Sequence, residues 1–296
     1  MNVTFLYRGP LQDCNFDCTY CPFAHHRADP CQLQADKRAL SRLTDWLESR
    51  TKHRFSLFFT PWGEALIWPH YQATLARLSR LSHIQTLAIQ TNLSGDLSWL
   101  KKANPNRIAL WCSYHPGQIP LQDFLSQVRC LQSHNIRFSV GIVGLRSHFQ
   151  AIQDMRQALD PDIYLWINAD KHQKTPYSDE ELAFLRWVDP LFDFNRYHYR
   201  TQGQACRCGE QVLSLAGDGR LQRCHFIKEA LGNIYESGWA NSLAAGPCSR
   251  DTCHCHIGYA HLPVLGLEKV FGDGLLARIP AGYPGMEIPP IPQNLI

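Results

Sequence analysis

The first two-thirds of the chain alternates between two kinds of segment, and this alternation constrains the fold more than any other feature. Short apolar runs read as strands: "NVTFLY" (2–7), "FSLFFT" (55–60), "TLAIQT" (86–91), "RIALWCSY" (107–114), "RFSVGIVG" (137–144) and "IYLWINA" (163–169). Between them lie segments with helical spacing. Residues 33–50 carry Leu40, Leu43 and Leu47, and residues 71–81 carry Leu75, Leu78 and Leu81. A short helix is expected after Gly95, and residues 121–133 place Phe124, Leu125, Val128 and Leu131 on one face. Residues 149–159 and 179–188 complete six strand–helix units. The strands are apolar throughout instead of alternating, as in a parallel sheet covered on both faces. The fold class is therefore α/β. Periodicity alone does not separate a curved, partial (β/α)6 TIM-like barrel from a flat, doubly wound sheet. In both, ligands sit at the carboxyl ends of the strands.

Past Phe194 the alternation stops. "QVLSLAGDGRLQRCHF" (211–226) reads as a hairpin turning at "GDG". Cysteine- and histidine-rich sequence follows, and then a Pro-rich tail with no periodicity. With 296 residues, the chain suits one large α/β domain and a small appendage. The expected division is a barrel over 1–193, a small cysteine-rich hairpin domain over 194–278, and an extended tail over 279–296, packed on the surface or disordered.

The net charge is +3, from 29 basic and 26 acidic residues, with no run of five like charges, which gives no support for nucleic acid as a partner. No apolar run approaches a membrane span, and the first residues do not read as a signal peptide. The twelve cysteines fall in two clusters, residues 14–31 and 206–255, with Cys112 and Cys130 isolated between them. Clustering of this kind reads as metal ligation in a reducing, cytoplasmic setting, and the isolated pair reads as ordinary core thiols.

The first cluster, "CNFDCTYC", places Cys14, Cys18 and Cys21 on the loop that follows the first strand. Short spacings let one loop wrap an iron–sulfur cube, and three thiolates leave the fourth iron open. The alternative is a zinc site completed by Cys31, His25 or His26. The C-x3-C-x-aromatic-C pattern, with Tyr20 in the aromatic place, resembles the radical S-adenosylmethionine superfamily. The resemblance extends through "YRGPLQDCNFDCTYCPF", "FTPWGEAL", "AIQTNLSG", "ALWCSYHPG", "RCHF" and "CHCHIGY", over about residues 1–280. It is to a little-characterised bacterial family with a cysteine-rich C-terminus.

The resemblance implies a partial barrel and a [4Fe–4S] cluster on Cys14, Cys18 and Cys21. It also implies S-adenosylmethionine on the open iron, giving a 5′-deoxyadenosyl radical that takes hydrogen from a substrate. Tyr20 and Phe23 would lie by the cofactor. Gly63 and Glu64 match the family's Gly-Gly-Glu-Pro, while Trp62 and Ala65 depart from it. Asn92, Ser113, Val143 and Asn168, at the ends of later strands, are further candidate cofactor contacts. Tyr114 is offered to the cavity as well, and His115, before Pro116, is open either to the cavity or to capping a turn.

In the second cluster, Cys208-x10-Gly219-x4-Cys224 puts thiols at both ends of the hairpin, and "CSRDTCHCH" adds Cys248, Cys253 and Cys255. Cys206 makes six. This resembles the twitch or SPASM extensions that hold an auxiliary [4Fe–4S] cluster. The favoured ligands are Cys224, Cys253 and Cys255 with Cys206 or Cys208, and Cys248 is the rival. Zinc is the alternative, helped by His225, His254 and His256. The expected function is a radical enzyme fed electrons by a flavodoxin- or ferredoxin-type donor. A peptide or protein substrate is favoured over a sugar or amino-acid derivative by fold-level analogy alone. The opposing class is a non-catalytic zinc scaffold.

Overall fold

The structure, a computed structural model, describes residues 1–23 and 27–296. The chain begins with β1 (Asn2–Arg8), a short β2 (Gln12–Asp13) and α1 (Pro30–Glu48). Then come β3 (Arg54–Phe59), β4 (Trp62–Gly63), α2 (Pro69–Leu78), β5 (Ile84–Thr91), β6 (Ile108–Ser113) and α3 (Leu121–Ser133). The alternation ends with β7 (Arg137–Val143), α4 (Phe149–Ala158), β8 (Leu165–Asn168), α5 (Asp179–Val188) and α6 (Phe192–Arg196).

Two helices begin earlier than their apolar spacing indicates, each with proline in the first turn. In α1, Asp29 caps the backbone of Gln32, whose side chain reaches back to the Asp29 N–H. The helix expected after Gly95 is a 3-10 turn, Ser98–Lys102, with a second turn at Pro105–Arg107. Pro105 removes an N–H from a connection too short to propagate an α-helix.

A nine-stranded sheet runs from β13 (Ala230–Asn233) through β12 (Arg220–Gln222) and β11 (Val212–Ala216) to β1-β3-β5-β6-β7-β8, the last six parallel and in chain order. No strand order reverses within these six. The buried apolar residues of α1 to α5 all belong to one core on one face of the sheet, with Phe5, Leu57, Ile89, Leu110 and Leu165. A second core on the other, inner face contains no residue of those helices. Helices confined to one face and strands in sequence order exclude the doubly wound alternative. The sheet is open, because β8 and β13 are its edges and do not pair.

The rest of the chain forms β9 (Tyr199–Arg200), β10 (Ala205–Cys206), β11 (Val212–Ala216), β12 (Arg220–Gln222) and β13 (Ala230–Asn233), followed by β14 (Gly246–Pro247), β15 (Thr252–Cys253), α7 (His256–Tyr259) and α8 (Leu267–Phe271). The hairpin β11–β12 forms as its sequence predicts, but it continues the main sheet instead of standing apart. β11 lies parallel to β1, from Thr4↔Val212 to Arg8↔Ala216. This covers the edge of β1, whose backbone groups would otherwise go unpaired.

The inner face is filled by the chain's own C-terminal part. Leu6, Phe58, Ala88, Trp111 and Trp166 pack against Tyr199, Tyr259, Phe271 and Leu276. The Pro-rich tail docks here too, with Leu295 fully buried. Of the isolated thiols, Cys112 is buried in the helix-side core and Cys130 packs against it. No helix among the described residues is long and apolar enough to cross a membrane.

Candidate active site

The loop carrying Cys14, Cys18 and Cys21 leaves the carboxyl end of β1 and is anchored along its length. Its start is a two-residue parallel ladder, β2 with β4, pairing Gln12 with Trp62 and Asp13 with Gly63, and the Glu64 N–H donates to the Asp13 carbonyl at 2.8 Å. Gly63 has φ 129°, and Trp62 is not among the residues with positive φ. The unusual backbone therefore falls on the glycine that the sequence retains, and the tryptophan beside it is unstrained. Farther along, the Asp17 N–H donates to Gln118 Oε1 at 2.8 Å, and the Cys21 N–H turns back to the Cys18 carbonyl at 3.0 Å.

None of the three cysteines is in a disulfide. Burial pushes the Cys14 thiol up to about 11, and the nearby Glu64, Cys18 and Cys21 add to this effect. Burial also raises Cys18. Neighbouring thiols that resist ionisation in this way are the donors a cationic cluster relieves.

His115 closes over this loop from the end of β6. Its Nδ1 lies 3.3 Å from Cys18 Sγ and 2.9 Å from the Tyr20 hydroxyl. The two rings are parallel, with centroids 6.0 Å apart. Burial holds the imidazole down to about 4, with His148 contributing, so it is neutral near pH 7. A neutral Nδ1 can accept from the Tyr20 O–H or donate to the Cys18 sulfur, but not both at once. His148, edge-on to Tyr20 at 5.2 Å, is a neighbour that sequence reasoning missed. It is brought there by a 3-10 turn 128 positions after Tyr20 in the numbering, with no local signal.

Asn92 ties the loop to the end of β5. Its amide nitrogen donates to Asn15 Oδ1 at 3.0 Å and lies 4.0 Å from Cys14 Sγ, while its Oδ1 accepts from the Ser94 N–H at 3.0 Å. Glu64 is spent internally. Its buried carboxylate accepts from the Leu66 N–H at 2.8 Å, the Thr91 hydroxyl at 2.9 Å and the Asn92 N–H. Burial outweighs these donors and raises the carboxyl to about 7. Glu64 thus clamps two strand ends beneath the loop.

Phe23 packs on Trp62 at 4.6 Å, and the Arg8 guanidinium lies 4.1 Å over the same indole. Ser113 is half-buried at the end of β6, whereas Tyr114 turns into the helix-side core against Phe124. Asn168 is exposed, and its carbonyl accepts from the Gly144 N–H beside Val143. Gly141 has a packing reason: a Cβ there would stand 2.0 Å from the Trp166 indole. Cys31 is exposed on α1, and His25 and His26 lie outside the described residues.

The second cysteine set converges from several segments. The pairing of β10 with β14 sets Cys206 opposite Gly246, two residues before Cys248, and β15 pairs Cys253 with Tyr199 of β9. Cys208 is buried with Cys206, Cys224 and Cys253 in electrostatic reach, and Cys224 has Cys206 and Cys248. Cys253 has Cys255, Cys224 and Cys248. The Cys206 thiol is lowered by a hydrogen bond from Cys208, with Arg223 also favouring the thiolate.

Cys255 differs from the rest. Burial raises it, but three cations bear on it: Lys171, Arg8 and Arg278. Cys248 has both Cys224 and Cys253 in reach, and Cys255 has Cys253 together with these cations. His225 bonds to Thr60 at 3.2 Å and to Ser214, and burial holds it down to about 3. His254 stacks on His198 at 4.6 Å.

Among the described residues, no group of three His, Cys, Asp or Glu side chains is arranged as a single metal ion would need.

No protein-family model matches the sequence, and no curated protein matches it. Solved structures do. A histidine-tagged anSMEcpe with bound AdoMet is similar with a TM-score of 0.52 at 13% identity, covering 82% of this chain and 80% of that one. Native anSMEcpe with bound AdoMet and Cp18Cys peptide is similar with a TM-score of 0.51 at 16% identity, covering 82% of each chain. The chain has the fold of anSMEcpe.

Proposed function

We propose that this protein is a radical S-adenosylmethionine enzyme, with Cys14, Cys18 and Cys21 holding a [4Fe–4S] cluster whose open iron takes AdoMet. The observation that carries this reading is the loop itself: three mutually close thiols, none in a disulfide, at the carboxyl end of β1, on a fold shared with an AdoMet-bound protein. When bound, the cluster and AdoMet together supply a 5′-deoxyadenosyl radical that removes hydrogen from a substrate.

The chain's own residues hold and shield that centre. The β2–β4 ladder and the Asn92 bridge fix the loop. Trp62 and Phe23 wall one side of it. Neutral His115, stacked on Tyr20 and 3.3 Å from the Cys18 sulfur, covers that side of the loop. The six-strand core is read as a partial barrel over residues 1–193, with the cysteine-rich segment 194–278 and the tail 279–296 covering its inner face.

The second thiol set suits an auxiliary [4Fe–4S] cluster on Cys224, Cys253 and Cys255 with Cys206 or Cys208, and Cys248 is the rival ligand. A peptide substrate is favoured, since anSMEcpe, whose fold this is, has been seen with a bound peptide. A flavodoxin- or ferredoxin-type donor and a cytoplasmic location complete the reading. Anaerobically reconstituted protein, given reductant and AdoMet, is expected to release 5′-deoxyadenosine. Zinc without iron in the purified protein, or no release, overturns it.

A further inference from the structure

The inner face of the sheet holds a group of buried polar atoms that the reading so far leaves unused. Trp111 Nε1, His256 Nε2 and Arg278 Nε are each buried without a hydrogen-bond partner. Their residues are only 5%, 6% and 2% exposed. The three are neighbours. The His256 ring stands edge-on to Trp111 at 5.3 Å, and the Arg278 guanidinium lies 5.3 Å over Trp111 and 4.5 Å over Trp166.

The tautomer of His256 follows from its contacts. Asn195 Nδ2 donates to the Tyr259 hydroxyl at 3.0 Å, which leaves that hydroxyl's proton for His256 Nδ1 at 3.3 Å. Nε2 then carries the ring's N–H. All three orphaned atoms are therefore donors.

The surrounding charge has the same sense. Arg278 makes no ion pair among the described residues. Asp189 is a carboxylate in its electrostatic reach, and it also accepts from the Tyr164 hydroxyl at 2.6 Å and from the Ile167 and Leu191 N–H groups. Arg8 and Lys171 converge with Arg278 on the Cys255 thiol. Arg278 is also a buried non-glycine residue with φ 51°, a left-handed backbone that surrounding packing must hold in place. Buried donors and cations without acceptors are costly unless something with negative oxygens meets them.

We propose that Arg278, His256 and Trp111 bind an oxyanion of the substrate, a carboxylate or a phosphate ester, with Arg8 and Lys171 supplying the field around it. This rests on the radical-enzyme reading, because it places the bound group on the inner face beside Cys255, at the margin of the second thiol set. A planar guanidinium is suited to bind such an anion, and the two N–H donors lie on rings that touch or neighbour that guanidinium.

The test uses iron-reconstituted protein with saturating AdoMet, titrated separately with inorganic phosphate and with acetate at constant ionic strength, and follows the unfolding temperature. A saturable rise with one of the two is expected, and the probe that gives it identifies the anion class. Arg278→Met should abolish saturation. Trp111→Phe, which keeps the ring and removes only its N–H, should weaken the apparent affinity by about threefold to tenfold and covers the case where the arginine variant does not fold. The proposal is overturned if neither anion saturates, if the Trp111→Phe protein responds like the parent, if AdoMet abolishes the effect, or if the effect exists only in iron-free protein, where the cations would be serving the thiolates. Release of 5′-deoxyadenosine by the parent is scored separately. Release without anion binding removes this inference alone, and anion binding without release removes the radical-enzyme reading.

Discussion

The first cysteine loop presents three thiols within one short turn of chain, whereas the second set gathers six from segments between residues 206 and 255. Their surroundings differ as much as their numbers. The loop sits above a buried carboxyl, Glu64, beside a neutral His115, with no cation among the causes of its raised thiols. The second set is ringed by Arg223, Arg8, Lys171 and Arg278. A three-thiol loop suits a cluster that keeps one iron for a cofactor, as in the function proposed above. A set of six thiols is large enough to supply every ligand a cluster needs from the protein itself. The contrast teaches that ligand count and local charge are set together, one by spacing along the chain and the other by what the fold packs alongside.

The sharpest break comes from Cys18→Ala. It should abolish 5′-deoxyadenosine release in an anaerobic assay while the second set keeps its iron; release equal to the parent would end the first site's role. Next, Cys224→Ala should lower bound iron by about four atoms per chain while AdoMet cleavage persists. Loss of all iron would mean that the two sites do not load independently.

Glu64 gives a pH signature belonging to the first site alone. Its folded carboxyl is raised to about 7 from an ordinary 4.5, so the folded state binds more protons between those values. The associated stability is complete below pH 4.5 and is lost as pH rises through 7, about 3 kcal/mol in all. Denaturant unfolding of the iron-free protein across this window should show the slope, and Glu64→Gln should lack it. The smallest expected effect is in thiol reactivity. In iron-free protein at pH 7, Cys206, held toward thiolate by Cys208 and Arg223, should alkylate at least about tenfold faster than Cys14. Mass-spectrometric mapping of iodoacetamide labelling checks this, and equal rates would erase the electrostatic contrast.

Much of this could be read from the chain before any coordinates. Residues 179–188 are a helix as spaced, with Ser178 capping it, because an apolar stripe and its cap are local facts. The C-x3-C-x2-C loop is likewise local, since eight residues leave few ways to arrange three thiols. Other elements resisted. The hairpin's partner, β1, lies some two hundred positions earlier, and nothing in "VLSLA" states which edge it will cover. Glu64 reads as a cofactor contact by position, yet the structure occupies both of its oxygens, because β5 happens to end with donors aimed at it.

By itself the sequence determined the strand–helix alternation, the parallel character of the core and the two thiol sets, because each depends on spacing within a few turns or on side-chain polarity along one strand. Only the tertiary structure decided that the helices share one face, that the C-terminal segment fills the other, and that Arg278, His256 and Trp111 meet there with donors unspent. Such meetings are set by how distant segments pack, and packing joins residues whose positions in the chain carry no mark of one another.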